Sequence, residues 1–273
     1  MNLSSETSQK QTGKNPSTRS DDSQNLLKTP RISVIIPVLQ EEKLLENTLK
    51  IFTPALKKHF NLEVIVSDGG SKDKTIEIAK KYADRVIIHT ENRRQTIAEG
   101  RNVGAAYAKG ETLVFINGDT IPAEPEHFFK EIVLWTSDKT LLKTGALTCS
   151  VKVSPHERKL SDTLFHSFFN SYVRFFTALG AGMGRGECQI IRAEVFKNVG
   201  GYDAKLVAGE DFELYSRISK KWKIGFKNDI FVYESPRRFR KYGYIRILAT
   251  WAVNALSVMF FKKSSSKEWE AVR

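Results

Sequence analysis

Residues 111–120 read Glu111-Thr112-Leu113-Val114-Phe115-Ile116-Asn117-Gly118-Asp119-Thr120, with Pro122 close behind. The apolar and β-branched run at 112–116 predicts a buried strand. It stops at Asn117-Gly118-Asp119, which places a short carboxylate beside a glycine at the end of a central strand. In open α/β sheets that margin is where ligands bind. A carboxylate there can hold a divalent cation through oxygen, and the cation can hold a diphosphate. The same three residues also favour a plain turn. The strand alone does not choose between the two readings, but its surroundings do.

Upstream, residues 31–39 form an apolar strand that includes Pro37, and Gln40-Glu41-Glu42 opens a helix running from 43 to about 60, with Leu44, Leu45, Leu49 and Phe52 on one face. A second strand at 62–66 ends in Ser67-Asp68-Gly69-Gly70-Ser71, ahead of a helix carrying Ile76, Ile78, Ala79 and Tyr82. A third strand follows at 85–89. Residues 93–109 are helical, interrupted by Gly100 and Gly104. Strands alternating with helices at this spacing predict an α/β fold, a mostly parallel sheet flanked by helices.

Downstream the pattern is less regular. Residues 141–153 and 188–192 read as strands, 194–199 and 212–220 as helices, and 223–228 and 230–233 as extended segments. The stretch 164–179 is helical and aromatic, with Phe165, Phe168, Phe169, Tyr172, Phe175 and Phe176 making a broad apolar face. A buried core helix is the plain expectation, and an acceptor or lipid groove the sharper one. The glycine-rich run 180–186 reads as a flexible loop.

At 273 residues the chain is long enough for one large domain or two small ones. Residues 1–29 are too polar to offset their ordering entropy and read as a disordered tail, without the apolar core of a secretory signal. The folded domain is expected over 30–235 and a basic, amphipathic extension over 236–273. Two cysteines, Cys149 and Cys188, make neither a disulfide framework nor a zinc site, so a reduced, cytoplasmic setting is expected. The net charge of +12 calls for an anionic partner: phosphorylated substrate, membrane surface or nucleic acid. Between 217 and 263 stand 12 Lys and Arg against Asp229 and Glu234. The apolar run 245–261, broken by Arg246 and Asn254, is short for a bilayer span. Its basic and aromatic flanks suit a helix in the membrane interface, and a plain packed helix fits as well. Peripheral attachment to the anionic inner face of a membrane is the expectation for it.

Several polar groups carry candidate chemistry. Asp68 ends the second strand in a Gly/Ser loop that opens a helix, where a carboxylate can meet a ribose or base. Asp73, by contrast, reads as a helix cap. Of Arg93, Arg94 and Arg101, the last is the best phosphate clamp because Gly100 and Gly104 permit close backbone approach. Glu210-Asp211 follows Gly209 at a helix start. The pair either complements the helix dipole or supplies a base that deprotonates an attacking hydroxyl. Acidic strand ends argue against nucleic acid, because they repel phosphate unless a cation intervenes.

In order, the motifs are Val34-Ile35-Ile36-Pro37 then Glu41, Val66-Ser67-Asp68-Gly69-Gly70-Ser71 then Thr75, and Gly100-Arg101-Asn102-Val103-Gly104. Phe115-Ile116-Asn117-Gly118-Asp119, Gly200-Gly201-Tyr202 and Gly209-Glu210-Asp211 complete the series. Together they resemble the family 2 nucleotide-sugar glycosyltransferases of GT-A fold over roughly residues 31–235. The resemblance implies an inverting transfer of a sugar from a nucleotide-diphosphate sugar to a hydroxyl or lipid-phosphate acceptor. Glycan or lipid-linked acceptors in glycolipid, glycan or cell-surface polysaccharide synthesis are implied with it. It places Pro37, Leu39, Glu41 and Asp68 by the nucleotide; read from the residues themselves, Arg101, Asn117, Gly118, Arg237 and Arg238 are further donor-side candidates. Asp119 corresponds to the Mg²⁺ or Mn²⁺ ligand, and Asp211 to the general base with Glu210 beside it.

Two departures stand out. Asn117 replaces the first acid of the family's Asp-x-Asp signature, which removes a charge near the metal and keeps a catalytically weak relative in view. Tyr233-Glu234-Ser235-Pro236 stands where many relatives carry a histidine, so Glu234 is a substitute metal-side or phosphate-side group. The absence of a Gln-x-x-Arg-Trp segment favours single additions over processive synthesis. A nucleotidyltransferase on a related sheet is the competing enzyme class, but it needs a glycine-rich basic signature after the first strand, and residues 37–42 supply none.

Overall fold

The computed structural model describes residues 31–266, so the tail expected over 1–29 lies outside the described residues. The chain opens with β1 (Ile32–Val38), α1 (Leu45–Lys50), α2 (Pro54–Phe60), β2 (Leu62–Asp68), α3 (Thr75–Tyr82) and β3 (Arg85–Ile88). Then come α4 (Ile97–Ala106), β4 (Thr112–Ile116), β5 (Thr120–Pro122), α5 (Pro125–Ser137), β6 (Thr144–Val153) and α6 (Leu160–Ala178). The described part closes with β7 (Cys188–Arg192), α7 (Ala193–Asn198), α8 (Glu210–Ser219), β8 (Lys223–Glu234), α9 (Arg237–Tyr242) and α10 (Tyr244–Phe261).

All eight strands join one sheet in the order β3-β2-β1-β4-β7-β6-β8-β5. The first four are parallel, with Val34 opposite Val64 on one side and Val114 on the other. Their nearly unbroken apolar runs follow from burial on both faces. The α/β expectation holds, and the sheet is mixed beyond β4. There β7 runs antiparallel to both β4 and β6, β8 runs parallel to β6, and β5 antiparallel to β8. One layer of core packs Leu45, Leu49, Phe52, Phe128, Phe129 and Ile132 on one face. Phe115, Phe196, Tyr202, Leu214 and Tyr215 fill the other.

Four local expectations change. The helix expected from 43 to about 60 is two helices, because Pro54 starts a new one and the Thr53 hydroxyl accepts from the Leu56 amide at 3.2 Å. The two extended segments after 223 are one strand. The glycine-rich run 180–186 is packed rather than flexible: a Cβ at Gly182 would lie 2.3 Å from the Tyr215 carbonyl oxygen, and one at Gly184 would lie 2.7 Å from the Tyr215 ring. The aromatic helix α6 is a core helix on one side only. Phe165, His166 and Val173 are buried, while Phe168 and Phe175 are exposed.

Candidate functional site

The topology decides what meets at the sheet margin. β1, β2 and β4 all point their carboxyl ends the same way. Because β7 is antiparallel to β4, its first residue Cys188 pairs with Ile116, and Glu187 arrives at that same margin. Glu234, the last residue of β8, pairs with Thr120 and Val153 and joins them. The result is a cleft of about 440 Å³, within the size range of small-molecule sites.

Eight of the expected residues line it: Pro37, Leu39, Glu41, Asn117, Gly118, Asp119, Arg237 and Arg238. Four do not. Asp68 is fully buried between Ser67 and Gly69, which do line the cleft. Its Oδ1 accepts from the amides of Gly70 and Ser71 at 2.9 and 2.8 Å, and its Oδ2 has no partner. Asp73 accepts from the Thr75 amide at 3.0 Å just ahead of the next helix, whose N-cap is Lys74 rather than Asp73, and Arg93 is taken by Glu91 and Glu99.

Arg101 lies behind the wall, 1% exposed. It reaches that place because α4 presses on β1: a Cβ at Gly104 would fall 2.4 Å from Ile35 Cγ2. Its guanidinium donates to Glu210 at 2.8 Å, to the Gly186 carbonyl at 2.6 Å and to Asn117 Oδ1 at 3.2 Å. One cation thus ties the end of β4, the start of α8 and the glycine-rich loop together. Glu210 is buried and Asp211 half-buried beside Gly186, where a Cβ would stand 2.7 Å from Asp211 Oδ2. Burial and the neighbouring Asp211 push the Glu210 carboxyl up to about 7, against the pull of Arg101. Burial likewise raises Asp211.

In the cleft, Arg237 Nη2 donates to both oxygens of Glu41 at 2.6 and 2.7 Å and sits 3.2 Å from Asp119 Oδ2. Burial raises the Asp119 carboxyl, Arg237 pulls it down and Glu187 pushes it further up. Burial and Glu187 raise Glu234 well above the carboxylate range. Carboxylates that repel one another in a desolvated cleft are a donor set of hard oxygens, which suits a divalent cation. Among the described residues, only His127, Glu131 and Asp229 bring three such ligand atoms within 4.8 Å of one another, and Lys227 already bonds two of them at 2.7 and 3.1 Å. The cleft acids therefore fit a cation that takes one or two protein ligands and fills the rest of its shell from phosphate oxygens.

Sequence reasoning missed Arg185, Glu187 and His166. Arg185, 1% exposed, donates to Glu187 at 3.0 Å and lies 3.5 Å from Glu234. Despite burial, Arg185 holds Glu187 below its ordinary range. His166 is buried with neither ring nitrogen hydrogen-bonded, its Nδ1 3.6 Å from Glu234, and burial lowers it to about 4. The signal was available: a charged pair, Arg185 and Glu187, framing Gly186 just before an apolar strand.

The family model for glycosyl transferase family 2 matches residues 33–200, more than half of the sequence. The chain belongs to glycosyl transferase family 2. Competing assignment to the nucleotidyltransferases ends there. Among the relatives, the probable glycosyltransferase YdaM of Bacillus subtilis is 26% identical over 71% of this chain and 48% of its own. The succinoglycan biosynthesis protein ExoA of Rhizobium meliloti is 29% identical over 68% of this chain and 57% of its own. The chain spans about half the length of these curated relatives. Among solved structures, the mannosyltransferase PcManGT from Pyrobaculum calidifontis, in complex with GDP-Man and Mn²⁺, has a TM-score of 0.64. It is 21% identical, over 86% of this chain and 64% of that one. Glucosyl-3-phosphoglycerate synthase from Mycobacterium tuberculosis, solved with Mn²⁺, UDP and glucosyl-3-phosphoglycerate, has a TM-score of 0.54 at 17% identity. It aligns over 91% of this chain and 85% of that one. The family member described here thus has the GT-A fold.

Proposed function

We propose that the chain transfers a single sugar from a nucleotide-diphosphate sugar to a hydroxyl or lipid-phosphate acceptor, with inversion. The observation that carries this reading is the cleft lined by Asp119, Glu41 and Arg237, with Arg101 behind its wall tying the lining residue Asn117 to Glu210, the neighbour of Asp211. The neighbours solved with Mn²⁺ and nucleotide sugars or UDP support it.

Asp68, with its unpartnered Oδ2, stands at the floor beside Ser67 and Gly69, and accepts a hydrogen bond from base or ribose. Asn117 and Gly118 pack against the nucleotide, and Pro37 and Leu39 wall it from water. Asp119 would hold the Mg²⁺ or Mn²⁺, with Glu234 close by. When bound, the ion stabilises charge that grows on the departing diphosphate. Arg237 and Arg238 face that diphosphate, and Arg237 leaves Glu41 and Asp119 to meet it. Asp211 takes the proton of the acceptor hydroxyl as it attacks the anomeric carbon from the face opposite the diphosphate. Arg101 acts through Glu210 and Asn117, fixing base and donor walls in one geometry.

A thermal-shift panel of nucleotide sugars, with and without Mn²⁺, tests the reading. Binding to the native state raises the melting point with ligand concentration over its dissociation constant. At least one nucleotide sugar stabilises the wild type in Mn²⁺, and Asp119→Asn loses that shift. No stabilisation by any member of the panel overturns the proposal.

A further inference from the structure

Of the 17 large hydrophobic side chains exposed among the described residues, 12 lie on or at the end of two helices, α6 and α10. On α6 they form a single stripe: Leu160, Leu164, Phe168, Tyr172, Phe175 and Leu179, from 38% to 75% exposed. Steps of four and three residues keep them on one side of a helix. On α10, Ile245, Val253, Leu256 and Phe260 do the same at 53% to 85% exposure. The helices touch through Phe165, Phe169, Tyr244 and Trp251, with ring centroids 4.7 Å apart for Phe165–Tyr244 and 5.4 Å for Phe169–Trp251. At about 100° per residue, the α6 stripe lies beside the side that faces α10, whereas the α10 stripe lies on the side of that helix turned away from Tyr244 and Trp251. Twelve exposed large apolar side chains on one pair of touching helices are more than the scattered single ones that a monomer's surface normally carries.

Charge says what covers them. Neither helix carries an exposed carboxylate: their one acid, Asp162, is buried and paired with Arg240. Arg158 and Lys159 precede α6, Lys241 precedes α10, Arg246 lies in its first turns and Lys262-Lys263 follow it, all exposed. Apolar stripes with basic ends match an anionic lipid surface.

The packing also decides orientation. Among the described residues α10 is the one helix long and apolar enough to cross a bilayer. Yet Asn254, at mid-helix, accepts from the amides of Ser265 and Ser266 at 3.0 and 3.1 Å, and Ser264 Oγ accepts from those of Val207 and Ala208 at 3.0 Å. After Lys262, in left-handed conformation at φ 51°, the chain turns back along the helix. Crossing would carry the end of α10 about 27 Å away and tear these bonds out. A helix packed on the domain through Ile247, Asn254 and Val258 and bare on another side lies flat instead.

We propose that the touching pair α6 and α10 seats on the surface of an anionic phospholipid bilayer through its exposed apolar stripes. Trp251, packed between them, also lines the cleft, so the cleft opens beside the membrane and takes an acceptor carried there. This rests on the glycosyl-transfer reading for the acceptor alone; the docking stands on the helices.

Flotation of the full chain with vesicles tests it, comparing phosphatidylcholine alone with the same lipid holding about a quarter phosphatidylglycerol. The wild type floats with the anionic vesicles and not the neutral ones, and high salt or alkaline carbonate releases it. The triple variant Leu164→Glu/Phe168→Glu/Phe175→Glu, all at exposed positions, keeps its thermal melt and loses at least about tenfold in vesicle affinity. Equal flotation of that variant, equal flotation with neutral vesicles, or retention after carbonate overturns the proposal. So does a stable dimer in vesicle-free buffer that the triple variant dissociates, since the face then belongs to a second copy. Success in flotation with failure of the nucleotide-sugar panel would remove the proposed reaction and leave the docking, and the reverse outcome would do the opposite.

Discussion

Replacing Arg101 by methionine tests the cation at the centre of the site. The guanidinium is 1% exposed and donates to Glu210, the Gly186 carbonyl and Asn117 at 2.8, 2.6 and 3.2 Å. Methionine leaves a buried carboxylate beside Asp211 with no counter-charge. Breaking a buried pair from one side costs about 3–5 kcal/mol. In a domain of this size each kcal/mol moves the melting point about 2–4 °C, so a fall of about 6–20 °C is expected. The pH dependence has a definite sign. The folded Glu210 carboxyl sits near 7, above its ordinary 4.5, so the native state holds the proton more tightly than the unfolded chain. Its contribution to stability is complete below about 4.5 and is lost as pH rises through about 7. Without Arg101, which pulls that value down, the loss begins at the same pH, near the unfolded value, but continues to higher pH and so runs further. The variant's deficit is therefore larger at pH 8 than at pH 5, where Glu210 is neutral with or without the arginine. Urea melts at both pH values measure it, and adding Glu210→Gln to Arg101→Met returns part of the loss as a coupling of about 1–3 kcal/mol. A deficit below about 1 kcal/mol at pH 8, or the same deficit at both, would refute the clamp.

Other outcomes follow from the packing. Gly104→Ala drives a methyl against Ile35 Cγ2, on a fully buried side chain, and lowers stability by about 1–3 kcal/mol in a urea melt; Ile35→Val keeps that γ-methyl and does not recover the loss. Gly182→Ala meets the Tyr215 carbonyl at 2.3 Å, a backbone atom that cannot swing away. It costs more than Gly180→Ala, whose Cβ meets nothing within 4 Å even though its φ of 81° strains any side chain. If Gly182→Ala melts at the higher temperature of the two, the loop is not packed as described.

Much of the fold was legible because parallel strands buried on both faces write continuous apolar runs. β1, β2 and β4 and their acidic ends could be read directly. Three things were less open. Thr53-Pro54 sits inside one continuous helical pattern, and only the cap reveals the break. The direction of β7 is invisible locally, so nothing marked Glu187 as a neighbour of Asp119 until Cys188 paired with Ile116. The glycines at 182, 184 and 186 looked like freedom because glycine serves both purposes; here each makes room for Tyr215 or Asp211. The aromatic stripe of α6 misled for a related reason. Periodicity reports an apolar face, and burial alone tells whether protein covers it.

The most direct test of the central claim separates binding from proton transfer at Asp211. In Asp211→Asn, the dissociation constant for the stabilising nucleotide sugar with Mn²⁺, by calorimetry, and the single-turnover rate of transfer are measured together. The account predicts affinity within about twofold of wild type and a rate lower by about 10²–10⁴. Transfer at the wild-type rate in that variant would contradict it.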